Sequence, residues 1–140
     1  MRRFILFSIA LVVLIQLVPV SRDNPPATRS VTAPPEVMSV LRRSCYDCHS
    51  NETIWPWYSR VAPVSWLVAH DVHGGRSHLN FSEWKASPDE HQREHLRELP
   101  KQVKGGDMPL WYYLPLHSSA RLSQDDVTRL STWAESLSGP

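Results

Sequence analysis

The chain is short of several things that would narrow its function quickly. Net charge is only +1 over 140 residues, and charged residues make up 21% of the sequence. That balance gives no basic stripe for nucleic acid and no field that selects a strongly acidic partner. There is no activated nucleophile, carboxylate dyad or phosphate-binding glycine loop to suggest other catalysis. No segment alternates convincingly enough to be a strand, and no internal repeat is present. Glycine is scarce at five residues, and there are only two cysteines. The cysteines stand three apart, too close for a disulfide that staples a fold. They must be a redox pair, half of a metal site or attachment points for a cofactor.

Twelve prolines and six tryptophans are the compositional excess. The prolines predict short helices joined by stiff irregular segments. The tryptophans predict a core built around something large and flat, or a small core that needs bulky filler.

The chain divides into three. Residues 1–20 read as a targeting segment: Arg2 and Arg3 are basic, and Phe4 to Val18 is apolar apart from Ser8 and Gln16. That pattern predicts export, with the basic end left in the cytoplasm. No small-x-small cleavage site follows. The run from Phe4 to Val20 stands at the short limit of a spanning helix, so a retained single-span anchor is favoured over a cleaved signal that releases the protein, and both over a buried soluble helix. Residues 21–33 hold Pro25 and Pro26 among small polar residues and read as a flexible, extended tether. Residues 34–140 form one domain of ordinary size.

Within the domain, helical periodicity and end signals place four short helices. The first begins at Pro35 and buries Val37, Val40 and Leu41 before running into Cys45. The second spans Val64 to Val72 and should stop at Gly74-Gly75. The third has Ser87 as cap, Pro88 in its first position and Glu90 closing a capping box; Pro100 should kink or break it, and Gly105-Gly106 should end it. The last follows Ser123-Gln124-Asp125-Asp126, a capping box, with Val127, Leu130, Ala134 and Leu137 on its apolar face. The fold class is therefore all-α: a bundle of about four short helices with long loops, preceded by an N-terminal apolar helix.

Cys45-Tyr46-Asp47-Cys48-His49 matches C-x-x-C-H, the signature of covalent haem attachment. Two thiols have to reach the two vinyl groups on one porphyrin edge, and an imidazole has to follow directly under the iron. A thioredoxin-like dithiol would need a preceding strand, and a zinc site would need two more ligands; His91 and His95, four apart, keep the zinc alternative open. For the sixth ligand the best candidate is Met108, which precedes Pro109 in a loop after Gly105-Gly106. The competing reading of Met108 is a core filler. His70, His73, His78 and His117 are the histidine alternatives, with exposed or capping roles as their ordinary reading. Trp55, Trp57, Trp66, Trp84, Trp111, Tyr112 and Tyr113 could pack on the macrocycle. Among Arg60, Arg76 and Arg121, Arg76 is the preferred partner for a haem propionate; for each, a solvated surface charge is the competing reading.

Taken together, these motifs resemble the bacterial haem-binding domain family of membrane-tethered monohaem cytochromes. The likeness rests on Cys45-x-x-Cys48-His49-Ser50-Asn51-Glu52-Thr53, Trp55-Pro56-Trp57-Tyr58, Ala62-Pro63, Asp71-Val72 with Gly75-Arg76, Leu79-Asn80-Phe81-Ser82-x-Trp84, and Met108-Pro109-x-Trp111-Tyr112. It covers roughly Pro35 to Leu137 and the apolar N-terminal segment. It implies a small cytochrome c-like bundle around one covalent haem c on Cys45 and Cys48, iron ligation by His49, and Met108 in the family's G-x-M-P position. Pro100 departs from the continuous helix expected there. The expected function is a periplasmic monohaem electron carrier with His/Met ligation. It would be held by a single inner-membrane span, or secreted after cleavage, and act as a monomer on redox partner proteins and not on nucleic acid. The alternatives are a haem-based sensor or peroxidase-like protein with a displaceable sixth ligand, and a structural metal-binding adaptor.

Overall fold

The computed structural model describes residues 1–139. Its helices are α1 (Arg2–Ile15), α2 (Pro35–Ser44), α3 (Tyr46–His49), α4 (Val64–His78), α5 (Glu90–Gly105) and α6 (Gln124–Ser138), with 3₁₀ turns at Trp57–Arg60 and Ser118–Ala120. Among the described residues there is no strand, only an isolated bridge between Arg29 and Glu83. The all-helical expectation holds.

Helix α1 buries none of its side chains. Its 14 residues rise about 21 Å, against a hydrocarbon core of about 30 Å. No helix among the described residues is long and apolar enough to cross a membrane. The helix stops before the apolar run does. Leu17 turns back on the Leu14 carbonyl, and the Gln16 amide pairs with Ala62, accepting from its N–H at 2.9 Å and donating to its carbonyl at 3.2 Å.

Residues 21–33 are extended, as their prolines require, but they do not hang free. Val31 is buried, and its N–H donates to the Phe81 carbonyl at 2.7 Å. Trp84 N–H reaches the Arg29 carbonyl at 2.7 Å, and Asn24 Nδ2 reaches the Thr53 carbonyl at 2.9 Å. The segment is a strap along the domain. Its backbone donors find acceptors in the loop after α4, which a solvated tether would leave to water.

Helices α2 and α6 form as their local signals dictate. Pro35 sits in the first turn of α2, whose buried face is Val37, Val40 and Leu41. The Ser123–Asp126 capping box of α6 is formed in both directions. Arg43 on α2 then pairs with Asp126 at 2.8 Å, tying the two helices at that cap.

Helices α4 and α5 differ from expectation. Helix α4 runs through Gly74 and Gly75 to His78, although each helical glycine costs about 1 kcal/mol relative to alanine. A Cβ at Gly75 would stand 2.5 Å from the Cys48 carbonyl oxygen, so close approach to α3 is what keeps this glycine in a helix. Helix α5 is capped by Asp89, whose carboxylate accepts from Gln92 N–H at 2.9 Å, two residues beyond Ser87. Pro100 neither breaks nor ends α5. Leu96, Pro100 and Val103 lie on one buried stripe, and α5 packs most extensively on α6. That packing offsets the lost Leu96–Pro100 backbone bond. Gly106, left-handed at φ 75°, ends α5 as expected.

The core joins α2, α5, α6 and the loop after α4 around a column of four rings. Tyr46 stacks on Phe81 (5.6 Å), Phe81 on Trp84 (6.1 Å) and Trp84 on Trp133 (5.9 Å). These spacings suit offset aromatic packing. The column carries α3, and with it the cysteine motif, on a rigid base.

Candidate haem site

Residues 45–49 are a single tight turn. Cys45 N–H donates to Leu41 O, and the N–H groups of Cys48 and His49 both return to Cys45 O, at 3.2 and 2.9 Å. One short arc therefore presents both thiols and the imidazole. The turn is braced from behind: Ser50 Oγ donates to Tyr46 O at 2.7 Å, and Phe81 N–H donates to His49 O at 2.7 Å. His49 Nδ1 donates to the Leu79 carbonyl at 3.0 Å. This fixes the tautomer and leaves Nε2 with its lone pair, the arrangement an axial imidazole needs. Burial holds His49 below the ordinary histidine pKa, so the ring is neutral near pH 7.

In front of the turn lies a cavity of about 680 Å³, open on one side and lined mainly by apolar atoms. That volume is within the range of cofactor sites, about 300–1,000 Å³. Cys45, Cys48 and His49 form one wall. Helix α4 supplies a stripe at helical spacing: Val64, Leu67, Val68, Asp71, Gly74, Gly75 and His78. Helix α5 contributes His95, Leu99, Gln102 and Val103, and the following loop contributes Met108, Tyr112, Tyr113 and His117. Met108 is 36% exposed, at the edge of the cavity. A core filler would be buried, so that reading of Met108 does not describe it.

The thiols are unpaired. Burial, with the neighbouring Cys48 adding to it, pushes the Cys45 thiol up to about 12. Burial, with Asp47 and then Asp71 adding to it, does the same for Cys48. A reactive dithiol has the opposite character, a depressed pKa in an electropositive setting. Among the described residues no three His, Cys, Asp or Glu side chains are arranged to hold a metal ion. The cysteines thus lack the further ligands of a Cys₂His₂ zinc site. A flat apolar group suits these walls better than either alternative.

Two expected site residues lie elsewhere. The Arg76 guanidinium does not face the cavity. It donates to Ser50 O (2.8 Å), Asp23 O (2.7 Å), Asn24 Oδ1 (2.9 Å) and Thr53 Oγ1 (2.8 Å), clamping the strap to the motif's loop. Four of its five N–H donors are occupied there, and it is absent from the cavity lining. Trp111 is 77% exposed and lies outside the cavity lining, whereas Trp57, equally exposed, stands at its mouth. Trp84 is a core residue, and Trp55 donates to Asn24 Oδ1 at 3.1 Å. Besides His49, the histidines lining the cavity are His70, His78, His95 and His117; no Lys or Arg among the described residues lines it.

Sequence reasoning passed over Asp47, Tyr58 and the α5 wall. Asp47 sits between the two cysteines, and its Oδ2 accepts from Tyr113 OH at 2.7 Å. Tyr113 lies flat on His117 (3.9 Å, 5°), and Tyr58 OH points at the same imidazole at 3.4 Å. Burial and this bond to Asp47 push the Tyr113 hydroxyl pKa upward. A carboxylate inside the motif, with tyrosines after Met108, was the available signal.

An all-helical domain whose half-buried imidazole and thiols face one apolar cavity has the architecture of a haem-binding protein. The chain matches the haem-binding domain family over residues 10–136 and belongs to it. No curated protein and no solved structure matches it.

Proposed function

We propose that this protein is a monohaem c-type cytochrome that carries single electrons between docked redox proteins. Cys45 and Cys48 hold the haem as thioethers, and His49 Nε2 and Met108 Sδ are its axial ligands. The observation that carries the reading is the convergence of two thiols, a free imidazole nitrogen and a thioether on one apolar cavity of about 680 Å³. When bound, the iron supplies a one-electron couple, and thioether ligation sets it at a higher potential than a second imidazole would. The chain's part is to orient His49 through Leu79, exclude water with the α4 and α5 walls, and present one cavity edge at the surface. Contact with partners through so small an edge is weak and transient. The exposed apolar α1, with Arg2 and Arg3 at its start, associates the haem domain with the outer face of the inner membrane as a monomer.

The test is to mature the full chain in a host with c-type assembly machinery. The expected result is a Soret band, a mass gain of one haem that survives denaturation, and loss of both in Cys45→Ala/Cys48→Ala. A near-infrared thioether-to-iron band should be present and should vanish in Met108→Ala. A high-spin spectrum that shifts readily with carbon monoxide would instead favour the sensor or peroxidase-like reading, for which His70 and His78 stand in the cavity wall. Protein with no covalent haem would overturn the proposal.

A further inference from the structure

The segment after α5 carries Met108 and then crosses the cavity to His117 with almost no regular structure. At its root, the Asp107 and Met108 N–H groups both donate to Gln102 O, at 3.0 and 3.2 Å. Its remaining backbone bonds are local turns: Tyr113 to Leu110, Leu116 to Tyr113 and His117 to Leu114. Nothing in those turns fixes the segment against the opposite wall. Two side-chain bonds to carboxylates do, beside the longer Tyr58 OH contact to His117 at 3.4 Å. Tyr113 OH donates to Asp47 Oδ2 at 2.7 Å, and Tyr112 OH donates to Asp71 Oδ2 at 3.1 Å. The acceptors lie on two adjoining walls: Asp47 within the motif turn, and Asp71 on the cavity stripe of α4. Asp47 is itself oriented, because its Oδ1 accepts Ile54 N–H at 3.1 Å. Tyr113 is also held flat against His117, at the far end of the same segment.

We infer that Tyr113–Asp47 and Tyr112–Asp71 form a two-point latch that holds the Met108 segment across the haem face, making these four positioning residues for the sixth ligand. The inference rests on the reading of Met108 as that ligand. A thioether is a weak, neutral donor, so its residence on iron depends on the loop that presents it. A hydrogen bond to a carboxylate in a partly dry site is among the stronger links available to such a loop. Each hydroxyl removed should raise the fraction of molecules with an open sixth position about tenfold.

The experiment uses the full-length, haem-loaded protein and reads the near-infrared thioether band and the rate of carbon monoxide binding to the ferrous form. Tyr113→Phe keeps the ring stacked on His117 and deletes only the donor. It should weaken the band and speed carbon monoxide binding about tenfold, and Tyr112→Phe/Tyr113→Phe should do more. The Soret position and far-ultraviolet circular dichroism should not change. Tyr112→Phe alone alters a ring at the protein surface, so it provides a foldable variant if the double one fails to mature; it too should bind carbon monoxide faster than wild type. If Met108→Ala abolishes the band while every tyrosine variant keeps it and binds carbon monoxide at the wild-type rate, the latch is wrong and the ligand stands. If wild type has no such band and Met108→Ala binds carbon monoxide no faster, the ligand reading falls and the latch falls with it.

Discussion

Replacing Gly75 with alanine sets two effects of opposite sign against each other within α4. Alanine in a helix interior gains about 1 kcal/mol over glycine, so helix propensity alone predicts a more stable protein. The packing opposes this. The added Cβ would stand 2.5 Å from Cys48 O, 3.0 Å from Cys48 C and 3.2 Å from Cys48 Cβ. A carbon–oxygen contact relaxes at about 3.3–3.6 Å, so α3 and α4 would have to part by close to an ångström. The two nearest obstructing atoms are backbone and the third is a Cβ, so none can rotate away. Overpacking of this kind costs about 1–3 kcal/mol, occasionally more, and the rigid neighbour puts Gly75→Ala at the upper end. The net change is a loss of about 2 kcal/mol, or roughly 10 °C in Tm for a domain of this size. Because the displaced atoms are those of Cys48, immediately before His49, the imidazole shifts too, and the ferric spectrum should change with the melting point. Thermal and denaturant unfolding of the haem-loaded protein, with its optical spectrum, reads both. A Tm equal to or above wild type would refute the close approach of α4 to the cysteine turn.

Arg76→Lys should lower stability, because one ammonium cannot reach the four acceptors the guanidinium holds. Limited proteolysis should then cut near residues 22–30 while the Soret band stays unmoved; a spectral change without strap cleavage would restore Arg76 to the cofactor. Pro100→Ala should stabilise by about 1 kcal/mol. It regains roughly 3 kcal/mol of helix preference and loses two buried methylenes at about 0.8 kcal/mol each, so a lower Tm would contradict the packing of α5. Stability should decline as pH falls below about 6.5. Burial, with His91 and His78 nearby, holds folded His95 below that ordinary value. The unfolded chain therefore takes up the proton first, and the contribution is complete above pH 6.5 and lost beneath it. Urea midpoints from pH 7.5 to 5.5 that stay flat or rise would contradict this.

What could be read from the sequence follows from the range of the interactions involved. Helices α2 and α6 are encoded locally, by Pro35 at a first turn, by Ser123 and Asp126 exchanging bonds, and by apolar residues three and four apart; each of those signals acts within one turn of its own helix. The Cys45–His49 motif is equally local, since one turn of backbone sets its geometry. Gly75, Arg76 and Pro100 carry meanings that depend on residues far along the chain. Gly-Gly is a stop signal in isolation, but α3 packed against α4 makes Gly75 the residue that lets the helix pass. An arginine after two glycines near a haem motif suits a propionate, but Asp23 and Asn24 return from 53 and 52 positions away to occupy it. Pro100 breaks a helix that must stand alone, not one whose proline face is buried with Leu96 and Val103 in a helix packed on α6. The tyrosine–carboxylate pairs are the extreme case: Asp47 and Tyr113 are 66 residues apart, and no period or cap links them. The Cys45–His49 turn is therefore written in one short stretch of chain, whereas the cavity it faces is written in contacts that exist only after α3, α4 and the segment beyond Met108 have come together.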